Sequence, residues 1–186
     1  MIKELKVTKT VELHADISKV WEALTNPELS KKYMFNCAVM SDWKVGSPIV
    51  YKEFKEGKAI EHVKGKIVNI EPGKLLQFTA WGPESGLEDV ESNYTIVTCK
   101  LSSKNGHTEL SVTQENFGGD EKRYNDSNQG WDYALTGLKK LFRKLKLHTT
   151  ASNNDAPFMI KKNYSGRSMR CLTNVKRNFN LQERIT

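Results

Sequence analysis

At 186 residues, with 38% hydrophobic and 27% charged side chains, the chain is long enough to bury a core without a disulfide or metal staple, and its composition is that of an ordinary globular protein. The formal net charge of +7 sits mostly at one end: residues 149–186 carry seven basic and two acidic groups, which leaves 1–148 at only +2, so the main body gives no strong nucleic-acid signal. Three separated cysteines without a paired or Cys/His spacing exclude a zinc finger and a disulfide framework; with no apolar run of signal-peptide or membrane-spanning length, an intracellular, cytoplasmic protein is expected.

The first element is a strand. Leu5, Val7, Val11 and Leu13 share one face at a period of two, the pattern of a half-buried strand. Ile17, Val20, Trp21 and Leu24 then fall at i, i+3, i+4 and i+7, which predicts a helix that Asp16 or Ser18 can cap. Asn26-Pro27 breaks it, and Pro27 suits the first turn of a second short helix through 28–32.

Five more strands follow, over 49–54, 59–70, 75–81, 94–101 and 108–114. Turn residues separate them: Glu56-Gly57-Lys58, Glu71-Pro72-Gly73-Lys74, a loop over 82–92, and Asn105-Gly106. The last is the strongest short hairpin signal. Consecutive hairpins make a meandering antiparallel sheet. After the flexible stretch 116–120, Trp131, Leu135, Leu138, Phe142 and Leu145 recur at steps of four and three, with Lys139, Lys140, Arg143 and Lys144 on the other side. That is one long amphipathic helix. Gly130 and Gly137 each cost about 1 kcal/mol against Ala inside it, so close packing is expected there. The fold class is therefore α+β: a curved antiparallel sheet of about six strands around a long C-terminal helix, with two short helices after the first strand. A domain over 1–148 and a basic tail over 149–186 are expected. In the tail, 149–157 reads as a linker, and Leu172, Val175 and Phe179 stand at helical spacing.

Four segments in the right order resemble one family. They are Ala15 through Glu28; Gly65 through Trp81; Gly106 through Gln114; and Gly130-Trp131 through Leu145. Together they are similar to domains homologous to the activator of the ninety-kilodalton heat-shock-protein ATPase, in the START-like, birch-pollen-allergen-like helix-grip (SRPBCC) superfamily. The resemblance implies an internal cavity between sheet and long helix. It implies an apolar ligand such as a lipid, sterol or polyketide, or alternatively regulation of a heat-shock chaperone; a minority of the superfamily are cyclases or aromatases.

No GxSxG, HExxH, phosphate-binding Gly-rich loop or GxGxxG occurs, so no catalytic residue, metal or cofactor is assigned. His14, His62, His107 and His148 are read as structural or surface groups. Of Glu12, Glu53, Glu61 and Glu91, one turned inward would be the route to a general base. The aromatics spread over every element that borders the interior, which suits either core packing or a pocket wall. Read as a wall, they give the candidate site Trp21, Phe35, Trp43, Tyr51, Phe54, Phe78, Trp81, Tyr94, Trp131, Leu135 and Leu138. A binding module for an apolar small molecule is expected, with a protein-interaction module for a chaperone ATPase and a cyclase-like enzyme as alternatives.

Overall fold

A computed structural model describes residues 4–154, with side chains described as far as Lys144. Strand β1 (Val7–Leu13) leads into helix α1 (Ile17–Thr25) and the single turn α2 (Pro27–Ser30). Six strands follow: β2 (Ala38–Ser41), β3 (Pro48–Lys55), β4 (Lys58–Glu71), β5 (Leu75–Ala80), β6 (Thr95–Lys104) and β7 (His107–Glu115). Helix α3 (Glu121–Asn154) closes the order. All seven strands form one antiparallel sheet in the order β1-β7-β6-β5-β4-β3-β2. The seventh, relative to the six read from the sequence, is the four-residue edge strand β2, too short to carry a visible alternation.

Alternation decides what faces the concavity. Leu76, Phe78 and Ala80 of β5, Val97, Cys99 and Leu101 of β6, and Leu110 and Val112 of β7 are all buried. Ala134, Leu135, Leu138, Leu141 and Phe142 of α3 pack against them in one cluster, with Val20, Ala23 and Leu24 of α1. Tyr33, after α2, joins this cluster and donates its hydroxyl to the Ala23 carbonyl at 2.8 Å.

The first helix starts at one of the two residues expected, though without the expected cap bond. Asp16 is the N-cap of α1, but its side chain makes no cap bond; it lies 3.8 Å from Lys19 instead. Asn26 caps α2 through bonds from the Glu28 and Leu29 amides. Asp120 accepts from the Arg123 amide at 3.0 Å and starts α3. That helix runs past His148 to Asn154, into the stretch assigned to a linker, because adding residues to an existing helix is far easier than nucleating one. The rest of the tail, including the segment around Leu172, Val175 and Phe179, lies outside the described residues.

Three glycines show close approaches, among them Gly82, where an added Cβ would lie 2.7 Å from the His62 carbonyl oxygen. A Cβ on Gly65 of β4 would stand 1.6 Å from the Thr79 carbonyl oxygen, so only glycine lets β4 cross β5 there. One on Gly137 of α3 would meet Tyr33 Cβ at 3.0 Å, the close packing expected of that glycine. Gly130 differs: nothing lies within 4 Å of its added Cβ.

Candidate functional site

Open space beside Gly130 belongs to a pocket of about 480 Å³ between α3 and the concave face, within the roughly 300–1,000 Å³ of small-molecule sites. Its floor and walls are Tyr51, Val63, Phe78, Ala80 and Val97 from the sheet and Gly130, Trp131 and Ala134 from α3. Met34, Phe35 and Cys37, from the segment after α2, complete one side. Polar groups enter only as Glu53, His62, Glu84, Gln114 and Ser127. A larger recess of about 800 Å³ lies between α3 and the segment after α2, lined by Tyr33, Tyr133, Thr136, Gly137 and Leu141 together with Lys32, Asp132, Lys140, Arg143 and Lys144.

The candidate wall residues divide sharply. Phe35, Tyr51, Phe78 and Trp131 line the pocket. Leu135 and Leu138 lie deeper, with Leu24, Leu76 and Leu110, where only about 10 Å³ of space remains; they are packed core, because the sheet closes on the helix there. Phe54 follows Glu53 on β3, so the alternation that turns Tyr51 and Glu53 inward puts it outside, where it is more than half exposed. Trp81 follows the inward Ala80 and for the same reason stacks outside against Tyr94, ring centres 6.2 Å apart, with Lys64 5.0 Å from the Trp81 ring. Trp21 packs half-buried on the core from α1. Trp43 has a left-handed backbone, φ 56°, and lies beside Met40 and Pro48 in a shallow recess under β2.

What the aromatic pattern missed is the polar rim. A register shift between Tyr51 and Lys52 pairs them with Val63 and Glu61, so His62 is the extra residue of a bulge in β4. Successive strand residues normally face opposite sides; a bulge re-aims one, and here His62 and Val63 both reach the pocket. His62 Nε2 lies 3.3 Å from Glu53 Oε2, and Nδ1 3.2 Å from Glu84 Oε1. Asn36 donates to the other Glu53 oxygen at 3.3 Å. Hydrogen bonds from Asn36 and then His62 hold the Glu53 carboxyl below its ordinary range. Of the four glutamates singled out in the sequence, Glu53 alone comes to the pocket: Glu61 pairs with Lys52 at 3.5 Å, and Glu12 and Glu91 are exposed. Alternation from Ile49 and Tyr51 was the available signal for Glu53; nothing in the sequence marked the bulge.

Other polar groups are fixed. Trp131 donates its indole N–H to Gln114 Oε1 at 2.8 Å, and the Gln114 amide donates to Thr95 Oγ1 at 3.0 Å. Burial pushes the Tyr51 hydroxyl and the Cys37 thiol up. His14 and His107 meet edge to face at the far end of β1 and β7, centroids 4.3 Å apart; the His148 side chain lies outside the described ones. Among the described residues no group of three or more His, Cys, Asp or Glu is placed to hold a metal ion, and no helix is long and apolar enough to cross a membrane.

A curved antiparallel sheet gripping one long helix, with a pocket left between them, is the helix-grip architecture. The chain belongs to the family described as activator of Hsp90 ATPase homolog 1-like protein, whose pattern matches residues 14–143. A structural-genomics target from Cytophaga hutchinsonii, solved in solution, is 39% identical over 82% of this chain and 99% of its own, with a TM-score of 0.63. The Aha1 dimer from Colwellia psychrerythraea shares the fold at 22% identity, over 74% of this chain and 95% of its own, with a TM-score of 0.59. A protein of the dynemicin biosynthetic locus, DynU16, shares it at 19% identity over 74% of this chain and 47% of its own, with a TM-score of 0.58. No curated protein matches the sequence.

Proposed function

We propose that this protein binds an apolar small molecule between the sheet and α3. The observation that carries the reading is the pocket itself: about 480 Å³, walled by Tyr51, Phe78, Val97, Trp131 and Ala134, with only five polar side chains among its lining residues. An apolar body placed there removes its own surface and these side chains from water, at roughly 25 cal/mol per Å².

A cyclase-like reading needs an inward histidine or carboxylate beside a polar recess, and His62 and Glu53 occupy that place. Their surroundings support binding over chemistry. Glu53 is held in its charged form by Asn36 and His62, which weakens it as a base. The Cys37 thiol, the nucleophile type nearest the pocket, is pushed up by burial and so is poorly nucleophilic. The chaperone reading rests on the family's description; association with an Hsp90-type chaperone that is indifferent to filling the pocket would favour it.

Native mass spectrometry of freshly purified protein tests the binding reading. Wild type is expected to carry a retained small molecule, or to take one up from a panel of sterols, flavonoids and polyketide-like aromatics. Gly130→Leu, whose side chain projects into open space beside the pocket, is expected to lose it. A wild-type protein that holds and accepts nothing from the panel sinks the reading.

A further inference from the structure

The recess of about 800 Å³ between α3 and the segment after α2 has a different chemistry from the pocket. Its floor is apolar: Tyr33 and Leu141 are buried there, and Gly137 packs against Tyr33. Four cations line its banks, Lys32 from one side and Lys140, Arg143 and Lys144 from α3. All four are exposed, and none makes an ion pair among the described residues. The acid that lines the recess, Asp132, already pairs with Lys9 at 2.8 Å. Glu12 and Arg143 line a separate, smaller recess without forming an ion pair.

The placement of these charges works against the helix that carries them. Lys140 and Lys144 stand at i, i+4 on α3, as do Lys139 and Arg143, and like charges at that spacing destabilise a helix. Near its start the same helix uses the opposite arrangement, with Lys122 on Asp126 at 2.7 Å. The helix dipole does not account for the difference. A cation gains from it only in the last turn, and α3 runs on to Asn154. Unbalanced cations above an apolar floor are complementary to a partner that is anionic and partly apolar. The rest of this chain offers no such complement, since residues 149–186 carry seven basic and two acidic groups.

We propose that this recess is a docking groove for an extended acidic segment of a partner protein. Its shape favours a chain: a bilayer surface is flat and does not enter a recess, and one small anion does not reach cations spread along α3 and across to Lys32. Lys140 and Lys144 are about 6 Å apart along the helix axis, at 1.5 Å per residue. Alternate residues of an extended chain repeat at about 6.6 Å. Acidic residues at every second position therefore keep step with the two lysines, and an apolar residue among them covers the floor. Pocket and recess share no lining residue, so the groove stands apart from the binding reading.

Fluorescence anisotropy of the full chain tests it with a short labelled peptide that alternates Asp with Ser around a central Leu, against the same peptide with Asn for Asp. At low ionic strength wild type is expected to hold the Asp peptide about tenfold more tightly, a preference that fades as salt screens the exposed charges. Lys140→Gln/Lys144→Gln is expected to weaken the Asp peptide about fivefold. The same variant should raise the melting temperature of the empty protein by about 1 °C, because a like-charge pair has gone. A merely structural role for the two lysines predicts a fall instead. Lys58→Gln/Lys100→Gln removes as much charge from outside the recess and is expected to leave peptide binding within about twofold of wild type. Equal binding of the two peptides by wild type, or an undiminished preference in Lys140→Gln/Lys144→Gln, overturns the proposal. Displacement of the peptide by equimolar tripolyphosphate identifies a small-anion site and overturns it too. So does sedimentation with phosphatidylserine vesicles that Lys140→Gln/Lys144→Gln abolishes while neither peptide binds wild type, which makes the occupant a membrane.

Discussion

Two glycines in this chain have opposite relations to space, and they predict opposite outcomes for the same substitution. At Gly65 an added methyl would lie 1.6 Å from the Thr79 carbonyl oxygen, so β4 and β5 would have to part; Gly65→Ala is expected to lose about 3 kcal/mol, at the severe end of overpacking. At Gly130 the methyl meets nothing within 4 Å, and Ala is the better helix former by up to about 1 kcal/mol. Gly130→Ala is therefore expected to raise the urea midpoint while narrowing the pocket. Equal midpoints for the two variants would show this account of the glycines to be mistaken. Cys99 offers a pH test. Burial pushes its thiol from 9.0 to about 12, so between those values the unfolded chain loses a proton that the folded chain keeps. Stability must then fall as pH rises through that window, by up to about 1.4 kcal/mol per pH unit for one group. Denaturant midpoints at pH 8 and pH 10.5 measure the slope, and Cys99→Ala is expected to reduce it, the remainder coming from Cys37 and Tyr51, which burial also pushes up.

Between residues and the whole stand the strands, and there the legibility of the sequence varied for physical reasons. Strand β5 buries every second residue, at Leu76, Phe78 and Ala80, and β7 does so at Thr108, Leu110 and Val112; β6 keeps the same period at Thr95, Val97, Cys99 and Leu101, with Thr98 buried as well, so their periodicity was plain and their inward faces follow from it. Helix α3 announced itself by the spacing of Trp131, Leu135, Leu138 and Phe142. Less was legible in β2, whose four residues are too few to alternate, and in β4, where two register shifts, at His62 and Val68, interrupt the period. A bulge is set by pairing between strands rather than by local propensity, which is why His62 read as an ordinary strand residue and became part of the rim. The aromatic wall was half visible for a related reason. Tyr51 and Phe78 occupy inward parities that the alternation implies, whereas Phe54 and Trp81 occupy outward ones. Phe35 obeys neither rule: it has φ 50°, is 53% exposed, and stacks on Tyr133 of α3 at 4.4 Å. Its contact is tertiary, made across a turn whose left-handed residues carry no glycine to flag them.

For the whole molecule, occupancy of the pocket and stability are one equilibrium. A guest that binds only the folded chain stabilises it by RT ln(1 + [L]/Kd), roughly 2.7 kcal/mol at a hundredfold excess over Kd. At about 2–4 °C per kcal/mol for a protein of this size, the melting temperature should rise by about 5–10 °C. Trp131 is the informative place to break the linkage, because it lines the pocket and also ties α3 to β7 through its 2.8 Å bond to Gln114. Trp131→Ala is expected to lower the stability of the empty protein by about 3 kcal/mol, since it removes packing and leaves Gln114 Oε1 without its donor. Absolute melting temperatures therefore say little. The ligand-induced shift within each variant is the measurement that discriminates, and it should shrink in Trp131→Ala far more than in Trp81→Ala, where the ring stacks on Tyr94 outside the pocket. Equal shifts in both variants would place the guest somewhere other than between α3 and the concave face of the sheet.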